Sequence, residues 1–166
     1  AAAALLVAAI GLGIFFFVAP AMVERSMNQV LVAPPYEATE AARRLHETLV
    51  IADMHADSLL WGRDLLERGT RGHVDIPRLI EGNVAVQMFT LVSKTPRGLN
   101  IERNAGDSDN VTWLAIGQRW PLRTWFSLKQ RALYQAERLH AMAQASNGRF
   151  VIVKTKADLA VFLERR

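Results

Sequence analysis

The chain has 166 residues, with 20 Lys and Arg against 16 Asp and Glu, a formal net charge of +4 and no cysteine. A disulfide framework and a cysteine nucleophile are therefore excluded. Hydrophobic residues make up 51%, but the excess is local: within residues 1–23 only Gly11, Gly13 and Pro20 fall outside the apolar set, and the remainder has ordinary globular composition. This excludes both a disordered chain and a multi-span membrane protein, and the length falls short of the ~250 residues of a complete (β/α)8 barrel.

Residues 1–23 carry no charge, and Glu24 and Arg25 end the run. At ~1.5 Å per residue a helix here extends about 34 Å, enough to cross a hydrocarbon core of ~30 Å with its backbone groups paired. The run is apolar on every side, unlike a soluble amphipathic helix, and longer than the ~7–15 apolar residues of a signal peptide. A retained transmembrane anchor, or an uncleaved signal, is the favoured reading. Ala19-Pro20-Ala21 resembles a cleavage site, so a cleaved signal competes with it. The chain opens on Ala1 and ends on Glu164-Arg165-Arg166 inside a helical pattern, so we expect a fragment of a longer product.

Residues 24–36 read as a juxtamembrane linker, in which Pro34-Pro35 should break any helix leaving the membrane. A helix is predicted over 37–48, with Ala41, Ala42 and Leu45 on one side, then a short buried strand over 49–53. Residues 58–68 read as a helix ending before Gly69. Residues 75–81 read as a short helical turn with Asp75 as N-cap, Pro77 in the first turn and Gly82 at the stop. A second buried strand is predicted over 83–92, and a polar surface loop over 93–110. Helices are predicted over 111–120 and 123–145, the latter burying Trp125, Leu128, Ala132, Ala136, Leu139 and Ala143. A third strand over 149–153 and a final helix capped by Thr155 and Asp158 complete the order. Strands alternating with helices imply an α/β fold with a parallel sheet.

Asp53-Met54-His55-Ala56-Asp57-Ser58 lies where the first strand ends. Side chains alternate along a strand, so Asp53, His55 and Asp57 share a side. A neutral imidazole and a carboxylate two residues apart can both reach one divalent metal; zinc takes such ligands at ~2.0–2.2 Å. The bland alternative is a His and an Asp satisfied by hydrogen bonds in a strand-to-helix turn. Asp53 reads as an orienting partner rather than a ligand.

The stretch from Asp53 to Trp61 (DMHADSLLW), with Val74 to Phe89 (VDIPRLIEGNVAVQMF), resembles the membrane dipeptidase (renal dipeptidase) family. The first looks like that family's His-x-Asp strand end, and the second like its segment leading into the next strand. Superfamily relatives generally carry His-x-His at this place, so His55-Ala56-Asp57 favours the dipeptidase branch. The resemblance implies a (β/α)8 TIM-type barrel of the metal-dependent hydrolase kind, two zinc ions and hydrolysis of dipeptides. It makes His55 and Asp57 metal ligands and makes residues 37–166 the incomplete N-terminal part of the barrel. A bridging glutamate, two further histidines, and the catalytic and substrate-binding groups are expected beyond Arg166, so this chain alone should be inactive. Two such metals supply an activated water and polarise the peptide carbonyl. The implied partners are a dipeptide substrate and a lipid bilayer met through residues 1–23, with oligomer formation left open. The implied location is a single-pass membrane protein with its domain outside the cytoplasmic membrane, in the periplasm of a bacterium. The competing class is a non-catalytic, membrane-tethered binding or structural domain derived from the same barrel.

His73 reads as a loop residue, and His46 and His140 as helix surface or core edge. Arg119, Arg123, Lys129, Arg131 and Arg138 run among Trp120, Trp125, Phe126 and Tyr134. The modest net charge argues against nucleic acid; anionic lipid is the better partner, and a solvated helix face is the simplest reading. Asn110-Val111-Thr112 fits a glycosylation sequon.

Overall fold

The computed structural model describes residues 1–164. One helix, α1 (Ala2–Met27), opens the chain and is long and apolar enough to cross a membrane. It widens to a π-helical turn over Ile14–Val18 and runs four residues past Val23, so the first part of the expected linker is helical. It stops at Asn28, six residues ahead of the prolines, where the Asn28 side-chain amide donates to the Glu24 carbonyl at 2.9 Å.

Helix α2 (Glu40–Glu47) starts where the Thr39 hydroxyl accepts from the Ala42 N–H. Strand β1 (Ile51–Ala56) pairs in parallel with β2 (Val84–Phe89), with Ile51 opposite Val84, Asp53 opposite Gln87 and Ala56 opposite Phe89. The crossover holds α3 (Ile76–Glu81), where Asp75 accepts from the Arg78 N–H as the expected N-cap. After β2 come α4 (Asn110–Gly117), α5 (Leu128–Ala145) and α6 (Lys156–Glu164). The expected capping box before α6 is present: Asp158 N–H donates to the Thr155 hydroxyl at 3.1 Å and Thr155 N–H to Asp158 at 2.8 Å. The helical pattern's continuation through Arg165 and Arg166 lies outside the described residues. The described architecture is mixed α/β, with a small two-stranded parallel sheet and one N-terminal apolar helix.

Several expected elements differ. Residues 149–153 form no strand among the described residues. The segment's first polar groups turn back onto the end of α5, where the Phe150 N–H donates to the Ser146 hydroxyl and the Arg149 N–H and Nε to the Ser146 carbonyl. Residues 58–68 form one 3-10 turn, Ser58–Leu60, and then irregular chain. The reason lies in its carbonyls, which take partners from distant helices instead of from a local helix. Arg138 donates to the carbonyls of Leu59, Trp61 and Arg63, and Gln118 to that of Leu60. The two strands are half-exposed rather than buried, with Met54 and Met88 among the open side chains.

The long helix starts at Leu128, because the Ser127 hydroxyl caps it and Leu122–Thr124 is a separate 3-10 turn. Its most buried positions are Arg131 and Gln135, and Leu128 is exposed. Arg131 donates to the carbonyls of Thr124, Trp125 and Ser93, to Asp109 and to the Thr112 hydroxyl. The Gln135 side chain exchanges hydrogen bonds with the backbone of Val92. So α5 turns a polar stripe inward, where irregular segments present unpaired backbone groups that water cannot reach. The basic run is not a solvated face at Arg131. The apolar core lies between the 58–65 segment and α4, formed by Leu60, Trp61, Val111, Ala115 and Trp120.

The end of α1 is built into this body. Glu24 is buried, 3.2 Å from Arg63 Nε and bonded at 2.8 Å by Arg71 Nε. The Gly72 N–H donates to the Asn28 carbonyl at 2.7 Å. Gly72 has φ +65, and a Cβ there would meet the Arg63 guanidinium at 2.8 Å, so the position requires glycine.

Candidate metal centre

β1 carries His55 to its carboxyl end, and Asp57 follows one residue beyond. Pairing with β2 brings Thr90 alongside: its N–H donates to the Ala56 carbonyl at 3.0 Å, and its hydroxyl donates to Asp57 Oδ1. The other Asp57 oxygen, Oδ2, lies 3.4 Å from His55 Nε2. Both side chains are open, at 69% and 47% exposure, leaving room on the solvent side. Asp53 does not join them through its carboxylate. Its Oδ1 accepts the backbone N–H of His55 at 3.1 Å, which fixes the chain just before the imidazole. The Asp53 carbonyl takes the Gln87 amide at 3.5 Å across the sheet.

The donor set fits a divalent ion. Two ligands at ~2.1 Å from one tetrahedral ion lie about 3.4 Å apart, which is the spacing that His55 Nε2 and Asp57 Oδ2 already have. An imidazole nitrogen and a carboxylate oxygen are both donor types that zinc takes. Thr90 holds one Asp57 oxygen and leaves the other facing the imidazole, the arrangement expected of an outer partner that orients a ligand. Among the described residues no group of three or more His, Cys, Asp or Glu gathers at one point; His55 and Asp57 approach each other as a pair.

The remaining histidines stand apart. His46, His73 and His140 are exposed, His46 and His140 on helices and His73 in a turn. Asn110 of the sequon opens α4 with its amide on the Pro96 carbonyl, and the Thr112 hydroxyl donates to Asp109 while accepting from Arg131. Thr90 was not singled out from the sequence. Its signal was its polar side chain near the carboxyl end of the second apolar run, which parallel pairing can bring to the first strand's end.

No family model, curated protein or solved structure matches the chain.

Proposed function

We propose that this chain carries the first metal-binding unit of a membrane-anchored, zinc-dependent dipeptidase built on a (β/α)8 barrel. The observation behind it is the 3.4 Å approach of His55 Nε2 and Asp57 Oδ2 at the carboxyl end of a parallel strand, where α/β barrels hold their active sites. The resemblance of residues 53–61 and 74–89 to the dipeptidase family supports the substrate class.

His55 and Asp57 would hold the ion, with further ligands required from elsewhere. When bound, zinc supplies Lewis acidity toward a peptide carbonyl and an acidified water. The chain's own contribution is orientation. Thr90 pins Asp57, and Asp53 pins the backbone at His55, so both ligands are set before the ion arrives. We place α1 across a membrane as a retained anchor, with the domain on the extracytoplasmic side.

Equilibrium dialysis of the full chain against zinc, with metal content measured afterwards, tests the ligands. Binding should drop at least tenfold in both His55→Ala and Asp57→Ala, in line with ~10–100-fold losses even for outer partners. Equal zinc content in both variants overturns the assignment. A non-catalytic tethered domain derived from the same barrel is the second reading. It predicts dipeptide hydrolysis at background level in the complete gene product even when zinc is bound.

A further inference from the structure

We propose that the face made by α4 and the turn after it seats on an anionic lipid bilayer, beside the point where α1 enters. The proposal rests on α1 being a transmembrane helix and adds a second, peripheral contact to it.

Helix α1 does not stand clear of the domain. A Cβ at Gly117 would lie 3.3 Å from Pro20 and 3.7 Å from the Phe15 ring, so glycine lets α4 approach closely. The Arg119 guanidinium sits over the Phe17 ring, 4.8 Å from its centre. Helix α1 nevertheless keeps apolar side chains open through and beyond this level: Phe17, Val18, Met22 and Val23 are all exposed. Its first charge, Glu24, is buried against Arg63 and Arg71. Lipid that covers the apolar surface down to Val23 therefore reaches the depth at which α4 touches the helix.

The surface around that contact has interfacial chemistry. Trp113 lies one turn before Gly117 on the same side of α4 and is 66% exposed. Leu122 and Phe126 are 74% and 84% exposed. The Trp125 indole N–H donates to the Trp120 carbonyl at 2.9 Å, which ties the turn after α4 back to the residue that follows Arg119. Arg119, Arg123 and Lys129 supply cations; Glu137 is the acidic neighbour and pairs with Arg123 at 2.6 Å. Exposed aromatic and aliphatic side chains rimmed by cations mark a membrane or protein contact. Tryptophan and basic residues concentrate at membrane–water boundaries, and anionic headgroups attract the basic ones. The continuous apolar side of α1 selects the bilayer.

Because the chain has no cysteine, single-cysteine variants place a fluorophore cleanly. The full chain carrying Leu122→Cys, Phe126→Cys or, as anchor control, Ile10→Cys is reconstituted into phosphatidylcholine vesicles with and without phosphatidylglycerol. Labels at 122 and 126 should lose most emission to a nitroxide near the headgroup and resist aqueous iodide, more strongly with phosphatidylglycerol. Adding Arg119→Glu and Lys129→Glu should remove that lipid dependence. The label at 10 should respond to a nitroxide on the acyl chain. If 10 responds to lipid while 122 and 126 are open to iodide, the proposed seating is wrong and the anchor stands. If 122 and 126 are shielded from both quenchers, the face is covered by protein, and the proposal fails equally. If 10 itself is open to iodide, the transmembrane reading and this proposal fall together.

Discussion

Arg131 is a cation at 1% exposure, and Asp109 is the carboxylate that neutralises it. Burial raises the Asp109 pKa, but hydrogen bonds from Arg131, Thr112 and the Thr95 N–H outweigh it, so the group titrates below its ordinary value. Asp75 follows the same balance: burial raises it, while the Arg78 side chain and the N–H groups of Gly69 and Arg78 hold it lower. A carboxylate depressed in the folded state contributes stability above its unfolded pKa of ~3.9 and loses it as pH falls through the folded value. Acid unfolding should therefore set in below about pH 4. Asp109→Asn should lower stability by roughly 3–5 kcal/mol at neutral pH, since it leaves a buried guanidinium uncompensated. It should also flatten the acid limb, both read from urea unfolding of the detergent-solubilised chain between about pH 6 and about pH 2. At this scale the sequence displayed His55 and Asp57, because strand alternation puts them on one side. It did not display Thr90, whose role arises from pairing between β1 and β2. Nor did it display Arg131, because a helical apolar stripe counts every guanidinium as outward-facing.

Helix α5 shows why the element pattern was only partly legible. Caps are local properties: Asp75 and Thr155, the two expected, each accept an N–H at a helix start, and so do Ser127 and Asp109, which set starts at Leu128 and Asn110 where Arg123 and Val111 were expected. Such signals are readable in one dimension. Thr155→Ala should cost about 1 kcal/mol of α6 stability, seen as faster amide exchange in the first turn of Lys156–Glu164 with the other helices unchanged. The face α5 buries is a tertiary property. Arg131, Gln135 and Arg138 turn inward because the 58–65, 90–95 and 124–125 segments lack helical or strand partners for their backbone groups. The same demand explains why 58–68 is not a helix. The last turns of α1 were likewise read as linker, because the first charge after an apolar run ordinarily marks water. Here Glu24 meets Arg63 and Arg71 instead. Glu24→Ala should loosen α1 from the domain, breaking a buried pair at a cost of about 3 kcal/mol. The amide of Gly72, bonded to Asn28, should then exchange faster while amides of α5 stay protected.

Across the whole molecule, a parallel βα unit and an apolar helix share one body, tied by Glu24, Gly72 and Gly117. The parallel order was legible because two apolar runs flank a helix-capping segment. The third strand expected over 149–153 is absent among the described residues, because a β-branched run becomes a strand only when a neighbour accepts its ladder, and the apolar character of the run carries no record of one. What the proposed chemistry needs from this body is small and local: one imidazole and one carboxylate at the end of β1, 3.4 Å apart and open to solvent. The chain has four histidines. In the full chain labelled with nitrogen-15 histidine and held in a lipid nanodisc, zinc should shift the ring nitrogens of His55 alone, and Asp57→Ala should weaken that response. An unchanged His55 signal at saturating zinc, or a response centred on His46, His73 or His140, would contradict a metal centre at the end of the first strand.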